Sequence, residues 1–271
     1  MPRNLGDVAD YFLPPSERST AQPSERAASP APERISLSVQ RPAALPILAV
    51  PIGDRDVVRA AFAWNLVVEI ARLGGSSTLL APEEQEPSPL WPQAGHRPVG
   101  AELVLAKAEG LPELNRAALD IAVSRAADTA DGGVVLVRVP PAWLGNAKQS
   151  RALLDWVLLF ASPERRDLLE TYGLAKRVLA ASAKARVGVT IHGARRIGEA
   201  ERAFHHVAGV LDRHLGRTPL SYGLLVDDLH VYRAIVSQRP IGIEHPQSRA
   251  ARALRDVAQL VLEDARKFAI A

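Results

Sequence analysis

Residues 47–74 read ILAVPIGDRDVVRAAFAWNLVVEIARLG, which is an apolar run, a short charged turn and a long, largely apolar segment. The apolar run predicts a buried strand over Leu45–Val50. The segment after the turn predicts a helix over Asp54–Leu73, and its apolar character on almost every side predicts burial from Val57 onward. A buried strand followed by such a helix is typical of a parallel α/β sheet.

The rest of the chain repeats this alternation of short apolar runs and longer amphipathic segments. Further strands are predicted at Ser77–Leu80, Glu102–Leu105, Val134–Val139, Trp156–Ala161, Val187–Ile191 and Ser221–Leu225. Further helices are predicted at Pro112–Ala127, Glu164–Ala181, Gly198–Leu215, Leu229–Ser237 and Gln247–Phe268. The predicted fold class is therefore α/β, a doubly wound, mostly parallel sheet with helices on both faces.

Composition limits the function classes that need considering. The chain has 271 residues, of which 47% are apolar, and it contains no cysteine. Disulfides, cysteine zinc sites and thiol nucleophiles are excluded, and we expect a reducing, cytoplasmic location. The sequence contains neither a signal peptide nor an apolar run long enough to span a bilayer. The net charge of +3 is too small to indicate nucleic acid by itself.

The first 42 residues differ from the remainder and predict a disordered tail before a domain at 43–271. They hold seven of the 21 prolines and little apolar surface. The exception is segment 4–13, where apolar residues at helical spacing would share one face and could dock on a partner. Its candidate docking residues are Leu5, Val8, Tyr11 and Phe12. The alternative is a tail with a few chance apolar residues. Residues 82–98 contain five prolines and predict a mobile surface loop.

Two short motifs in the first helix give the sequence a family resemblance. Asn65-Leu66 and Ala71-Arg72-Leu73-Gly74 occur in the register found in the MinD/ParA family of P-loop ATPases, and the chain most resembles its FlhG branch. The resemblance covers about residues 45–262. It implies that the turn occupies the place of the family's phosphate-binding loop, KGGxGKT. In that register, Arg59 replaces the invariant lysine, Ala60 the magnesium-binding hydroxyl, Asp54 the signature lysine, and Arg55, Asp56 and Val58 the glycines, while Gly53 precedes the motif.

The later motifs of the family keep their place but not their chemistry. The second strand ends in Ala81-Pro82-Glu83 instead of Asp-x-Asp, and Arg138 lies where the family's magnesium-supporting Asp is expected. His192 takes the place of an Asn that contacts the base. The downstream segments Trp156–Glu164 and Gly223–Asp228 resemble the family closely. The resemblance therefore implies the fold more strongly than the activity.

The physical chemistry of the turn predicts that nucleotide binding is lost. A phosphate loop needs glycines so that backbone N–H groups converge on the phosphate. Two unit charges about 5 Å apart at an effective dielectric of about 20 repel by about 3 kcal/mol, so Asp54 and Asp56 would repel phosphate. We expect instead that Asp54 or Asp56 pairs with Arg59 or Arg138 and closes the turn. Neither ATP nor Mg²⁺ is therefore expected as a cofactor.

The resulting hypothesis is a non-hydrolysing pseudo-ATPase that acts as a regulatory or scaffold protein in cellular positioning. The resemblance implies protein partners, such as an active paralogue or another component of a positioning system. One alternative is a divergent ATPase that still binds nucleotide through Arg59 and Arg138. Another is a DNA-associated accessory protein that uses the basic stripe Arg249, Arg252 and Arg255. Whether a small molecule binds is left open.

The remaining histidines, the Asp227-Asp228 pair and the last helix are interpreted as structural features and not as functional sites. His205, His206 and His214 lack the i, i+4 spacing of a helical metal site, so no metal is expected there. His192 is expected to fill the vacated base pocket and not to catalyse a reaction. Asp227-Asp228 predicts a helix N-cap. The last helix carries core spacing to Phe268, so no membrane anchor is expected, and a solvated face is the preferred interpretation of its arginine stripe.

Overall fold

Seven strands, all parallel, form one sheet in the order β3-β2-β4-β1-β5-β6-β7 within the part of the chain that the computed structural model describes. The described residues are 43–83, 88–95, 97–127, 129, 132–149 and 151–270. The strands are β1 (Ile47–Pro51), β2 (Ser76–Pro82), β3 (Glu102–Ala106), β4 (Gly133–Val139), β5 (Trp156–Ala161), β6 (Arg186–Ala194) and β7 (Leu220–Val226). All seven predicted strands are confirmed. The predicted tail, with Leu5, Val8, Tyr11 and Phe12, lies outside the described residues.

Helices cover both faces of this sheet, as the doubly wound prediction requires. They are α1 (Val57–Arg72), α2 (Leu111–Ala127), α3 (Arg165–Ala181), α4 (Ile197–Leu215), α5 (Leu229–Ser237), α6 (Ile241–Glu244) and α7 (Arg249–Ile270). The two helices α1 and α7 pack together on one face, and α2, α3 and α4 pack on the other. The short helix α6 is the one helix of this set that the sequence analysis did not predict.

The buried position of α1 explains its unusual composition. Twelve of its 16 residues are buried, because the helix lies between the sheet and α7. On α7 the predicted core positions Leu254, Val257, Val261 and Ala265 are buried, and Phe268 packs edge-on against Trp156. None of the described helices combines the length and the apolar character that a membrane crossing needs.

A buried polar network ties β5 and β7 to α7. The Trp156 indole N–H donates to the Tyr222 hydroxyl at 3.0 Å, and that hydroxyl donates to the Asp264 carboxylate at 2.9 Å. The Tyr222 ring lies over Gly188 of β6, where an added Cβ would come within 2.2 Å of the ring. Gly188 is therefore required by the close approach of the tyrosine.

Near the site, the structure differs from the sequence predictions in one helix boundary and in one loop. Helix α1 begins at Val57 and not at Asp54, because the side chain of Asp56 caps it by accepting from the Arg59 amide at 2.9 Å. The segment 82–98 is not simply a surface loop, since Trp91 within it is buried and its indole N–H donates to the Asp54 carbonyl at 3.1 Å.

Candidate functional site

The sheet order places the turn after β1 at the centre of its carboxyl edge. Strand β1 lies between β4 and β5, so the segments that follow these three strands are neighbours. From β1 the chain moves outward through β2 and β3, and from β5 it moves in the other direction. In parallel α/β sheets such a reversal creates the crevice where ligands usually bind.

The backbone of this turn is hydrogen-bonded to itself. The Asp56 amide donates to the Gly53 carbonyl at 3.0 Å, the Val57 amide to Arg55 at 3.1 Å and the Ala60 amide to Asp56 at 3.0 Å. Residues 53–58 are all described, and none of them has a positive φ. The turn therefore does not form the glycine-dependent nest of converging N–H groups that holds a phosphate.

Asp56 takes the position at which a helix N-terminus would attract an anion. Its Oδ1 accepts from the Arg59 amide, and its Oδ2 lies 3.2 Å from the Arg59 guanidinium. A helix N-terminus carries partial positive charge and favours an anion close by. The carboxylate of Asp56 supplies that anion from within the chain.

Gly53 and Ala60 do not provide the functions of the family's loop. A Cβ added at Gly53 would meet none of the described atoms within 4 Å, so this glycine is not required by a close approach. Ala60 is buried and lines an apolar cavity of about 330 Å³ together with Trp91 and Arg138. A methyl group at this position offers no oxygen to a metal ion.

A first ion pair closes the turn from the side of β4. Arg138 faces Val50 in the strand register, and its Nη2 donates to Asp54 Oδ1 at 2.7 Å. The Arg138 side chain is only 4% exposed, and its guanidinium lies 4.4 Å from the Trp91 ring centre. Trp91 thus covers the cation by a cation–π contact and keeps it away from solvent.

A second cluster of charges closes the turn from the side of β5. The Arg59 side chain, 7% exposed, contacts three carboxylates: Asp56, Asp167 and Glu170, the last at 3.4 Å. Asp167 lies in the first turn of α3 and also accepts from the Ser162 amide at 2.6 Å. Arg59, a single cation, is therefore surrounded by acidic side chains and is poorly placed to attract a further anion.

His192, at the end of β6, borders the same cluster. Its ring lies 5.5 Å from the Phe62 ring, and its Nε2 lies 3.6 Å from Asp167 Oδ2. Burial, and to a smaller extent the positive charge of Arg59, together lower the pKa of His192 to about 4. The imidazole is therefore neutral at pH 7.

These residues do not fit Mg-ATP. The backbone N–H groups of Asp56, Val57, Arg59 and Ala60 are already bonded within the turn. The hydroxyl and the carboxylate that the resemblance implies for magnesium are replaced by Ala60 and Arg138. The described residues also contain no group of three or more His, Asp or Glu side chains arranged for a metal ion.

Two further predicted features lie away from the turn. Asp228 caps α5 by accepting from the His230 amide at 3.0 Å, and it also accepts from the Ala250 amide at the start of α7. Burial raises the pKa of Asp228, but the hydrogen bonds from His230 and Ala250 outweigh that effect and hold the pKa below its usual value. The basic stripe Arg249, Arg252 and Arg255 is exposed on α7, as a solvated face would be.

Sequence reasoning missed three residues that complete the site: Trp91, Asp167 and Glu170. The position of Asp167 had a signal, because an acidic residue in the first helical turn after β5 must lie near the turn after the neighbouring strand β1. Trp91 had no such signal, since its contact with Arg138 joins a long loop to a strand far away in sequence.

No protein-family model and no curated protein sequence matches the chain. Solved structures do match, and each of the three named here aligns with 80% of this chain. They include the MinD cell division protein of Aquifex aeolicus (12% identity, TM-score 0.58, 97% of that chain covered), the MinC:MinD cell division protein complex of Aquifex aeolicus (13%, 0.59, 96%) and the septum site-determining protein MinD complexed with Mg-ADP from Pyrococcus horikoshii OT3 (13%, 0.55, 95%). At these identities the similarity establishes the fold. The predicted resemblance to the MinD/ParA family is confirmed at that level.

Proposed function

We propose that this chain is a MinD/ParA-like pseudo-ATPase, a regulatory or scaffold protein of a cellular positioning system that does not hydrolyse ATP or bind it tightly. The observation that carries the proposal is the turn after β1, whose two carboxylates are paired with Arg138 and Arg59. A likeness to FlhG within that family remains a prediction from the sequence.

The energy needed to open this turn supports the proposal. A phosphate at the start of α1 would displace the Asp56 cap, which contributes about 1 kcal/mol. It would also lie beside the Asp54 carboxylate, which is 68% exposed, and two unit charges about 5 Å apart at an effective dielectric of about 20 repel by about 3 kcal/mol. Because 1.4 kcal/mol corresponds to tenfold in affinity, these terms together would weaken binding by about 1,000-fold.

A role through protein partners is the consequence of this proposal. The MinC:MinD complex is an assembly of a protein with this fold and another protein. A chain that has this fold but does not bind nucleotide would not change conformation with a bound nucleotide. It would present one fixed set of surfaces to a partner such as an active paralogue. The cysteine-free sequence supports a cytoplasmic setting for such a complex.

Calorimetric titration of the full chain with Mg-ATP tests the proposal. We expect no saturable heat up to about 1 mM ligand, and the same result for Mg-ADP, because the loss of about 1,000-fold moves a micromolar site into the millimolar range. Micromolar affinity that is abolished in Arg59→Ala but kept in Arg55→Ala would overturn it. Arg55 is the matched control because it is an exposed arginine of the same turn.

A second experiment separates charge from backbone geometry. Asp54→Asn with Asp56→Asn removes both negative charges while Arg59 and Arg138 remain. Titration with sulfate and with pyrophosphate then asks whether the freed cations hold an anion. Binding by this variant but not by the parent chain would show that the carboxylates exclude anions. Anion binding by the parent chain would contradict the proposal and favour a rebuilt site at Arg59 and Arg138.

A further inference from the structure

Helix α5 carries an exposed apolar face that its own packing does not use. Its buried side is formed by Val231, Ala234 and Ile235. The outward residues Leu229, Tyr232 and Val236 are 61%, 49% and 71% exposed, and their i, i+3, i+7 spacing places them in one line. We call these three residues the α5 stripe.

The position and charge of the α5 stripe distinguish it from scattered surface residues. Helix α5 follows β7 at the carboxyl edge of the sheet, and Tyr232 lines the same polar crevice as Arg59 and His192, a space of about 690 Å³. Exposed Arg233 lies within the helix, and exposed Arg239 follows its end. Exposed Asp227 precedes the helix, and the Glu244 carboxylate accepts from the Ser237 hydroxyl at 3.0 Å. The surface is therefore apolar with a border of mixed charge, in which Arg233 and Arg239 can pair with carboxylates of an apolar segment.

The chain itself contains a segment of that description. In segment 4–13 the residues Leu5, Val8 and Phe12 have the same i, i+3, i+7 spacing. The segment also holds Asp7 and Asp10 and no Lys or Arg. Two apolar lines of equal spacing can pack along each other, as in helix-in-groove recognition.

The connecting chain is long enough to bring the two together. About 30 residues join segment 4–13 to the domain that begins at 43, and they can span about 100 Å when extended. A domain of this size is only about 45 Å across, from a radius of gyration of about 17 Å. A tether of this length gives an effective concentration on the order of 1 mM, so even a weak contact would be populated.

We propose that segment 4–13 docks on the α5 stripe of its own chain. The docked segment covers the apolar residues beside the crevice, and a partner that recognises either surface must first displace it. The segment would then act as an intramolecular competitor for partner binding. This inference depends on the stripe and the segment and is independent of whether nucleotide binds at the turn.

Disulfide trapping in the full chain tests this proposal, because the natural sequence has no cysteine. One variant carries Ala9→Cys with Ser237→Cys, which places a thiol beside each surface without removing an anchor. The control carries Ala9→Cys with Ser124→Cys, an exposed position of α2 next to the exposed Val123. Under mild oxidation at micromolar protein, we expect an intramolecular crosslink that forms at least tenfold faster in the first variant.

The outcomes separate the possible occupants of the stripe. Equal crosslinking rates in the two variants would overturn the proposal, since the segment would then have no preferred site. Crosslinked dimers that form when Ser237→Cys is the single substitution would also overturn it, because they would place a second copy at the stripe. Adding Asp7→Asn and Asp10→Asn should slow the intramolecular crosslink several-fold at low salt, because Arg233 and Arg239 would lose their partners. An unchanged rate would contradict the electrostatic part of the argument.

Discussion

Replacing Arg59 with methionine is the most direct test of how the turn is held closed. The substitution keeps most of the side-chain volume and removes the guanidinium that contacts Asp56, Asp167 and Glu170. Three carboxylates would then border one site without their shared counter-charge. Removing one partner of a buried ion pair typically costs about 3–5 kcal/mol.

The structure places the expected loss at the lower end of that range. The Glu170 side chain is 47% exposed, so its contact contributes little, whereas the Asp167 side chain is only 13% exposed. Asp167 would keep the hydrogen bond from the Ser162 amide, which lowers the penalty further. We therefore expect Arg59→Met to lower the free energy of unfolding by about 3 kcal/mol at pH 7.

Urea unfolding at pH 7 measures this change, and Arg55→Met is the control. Arg55 lies in the same turn but is exposed, so its substitution should change the free energy of unfolding by less than about 0.5 kcal/mol. A loss below about 1 kcal/mol for Arg59→Met would refute the reasoning, because the pairs would then be no stronger than surface contacts.

A second measurement on the same variant reports the electrostatics directly. The charge of Arg59 helps to lower the pKa of His192 to about 4. In Arg59→Met that charge is absent, while Asp167 remains 3.6 Å from the imidazole. The His192 pKa, followed by NMR titration, should therefore rise. A pKa that stays near 4 would show that Arg59 does not act on the ring.

Three further predictions follow from single residues. Gly188→Ala should lower the free energy of unfolding by about 1–3 kcal/mol, because its Cβ would meet the Tyr222 ring at 2.2 Å. The control is Gly173→Ala, which should be neutral or stabilising because none of the described atoms lies within 4 Å of the added Cβ. Urea unfolding compares the two variants. The pKa of His192 is about 4 in the fold against an ordinary 6.5, so protonation of the unfolded chain should lower the free energy of unfolding by about 3 kcal/mol as the pH falls from 6.5 to 4. His192→Gln should lack that loss. Equal dependence of the free energy of unfolding on pH in the two proteins would contradict this prediction. Trp91→Ala should lower the thermal midpoint, because it removes a buried ring and exposes the guanidinium beneath it, and an unchanged midpoint would show that the ring does not contribute to stability.

The sequence was sufficient for the fold because its evidence is local and repeated. Each strand is a short apolar run, and α1 is apolar on nearly all sides for the reason that it is nearly all buried. The start of α1 was harder to predict from the sequence, because a carboxylate can lie inside the first turn of a helix or cap it. The hydrogen bond from the Arg59 amide to Asp56 shows that Asp56 caps the helix. The sequence could not place α6, whose four residues are too few to show a period.

The candidate site was predictable only in part. The expected pairing of the turn carboxylates with Arg59 and Arg138 agrees with the structure, which assigns Asp54 to Arg138 and Asp56 to Arg59. That expectation came from the family resemblance, whose motif register places Arg138 beside the turn. The contribution of Trp91 depends on the path of a long loop, and no local pattern specifies that path.

In this molecule the residues that stabilise the fold are different from those that form the turn after β1. The sheet and α1 are held by buried apolar packing that does not involve the turn. What the turn must still satisfy is the positive end of α1, which favours an anion whether or not a phosphate is present. Asp56 meets that requirement, and Arg59 then balances its charge. A helix start that carries its own anion does not need a bound ligand to satisfy its positive end, and this is the role that Asp56 fills in α1.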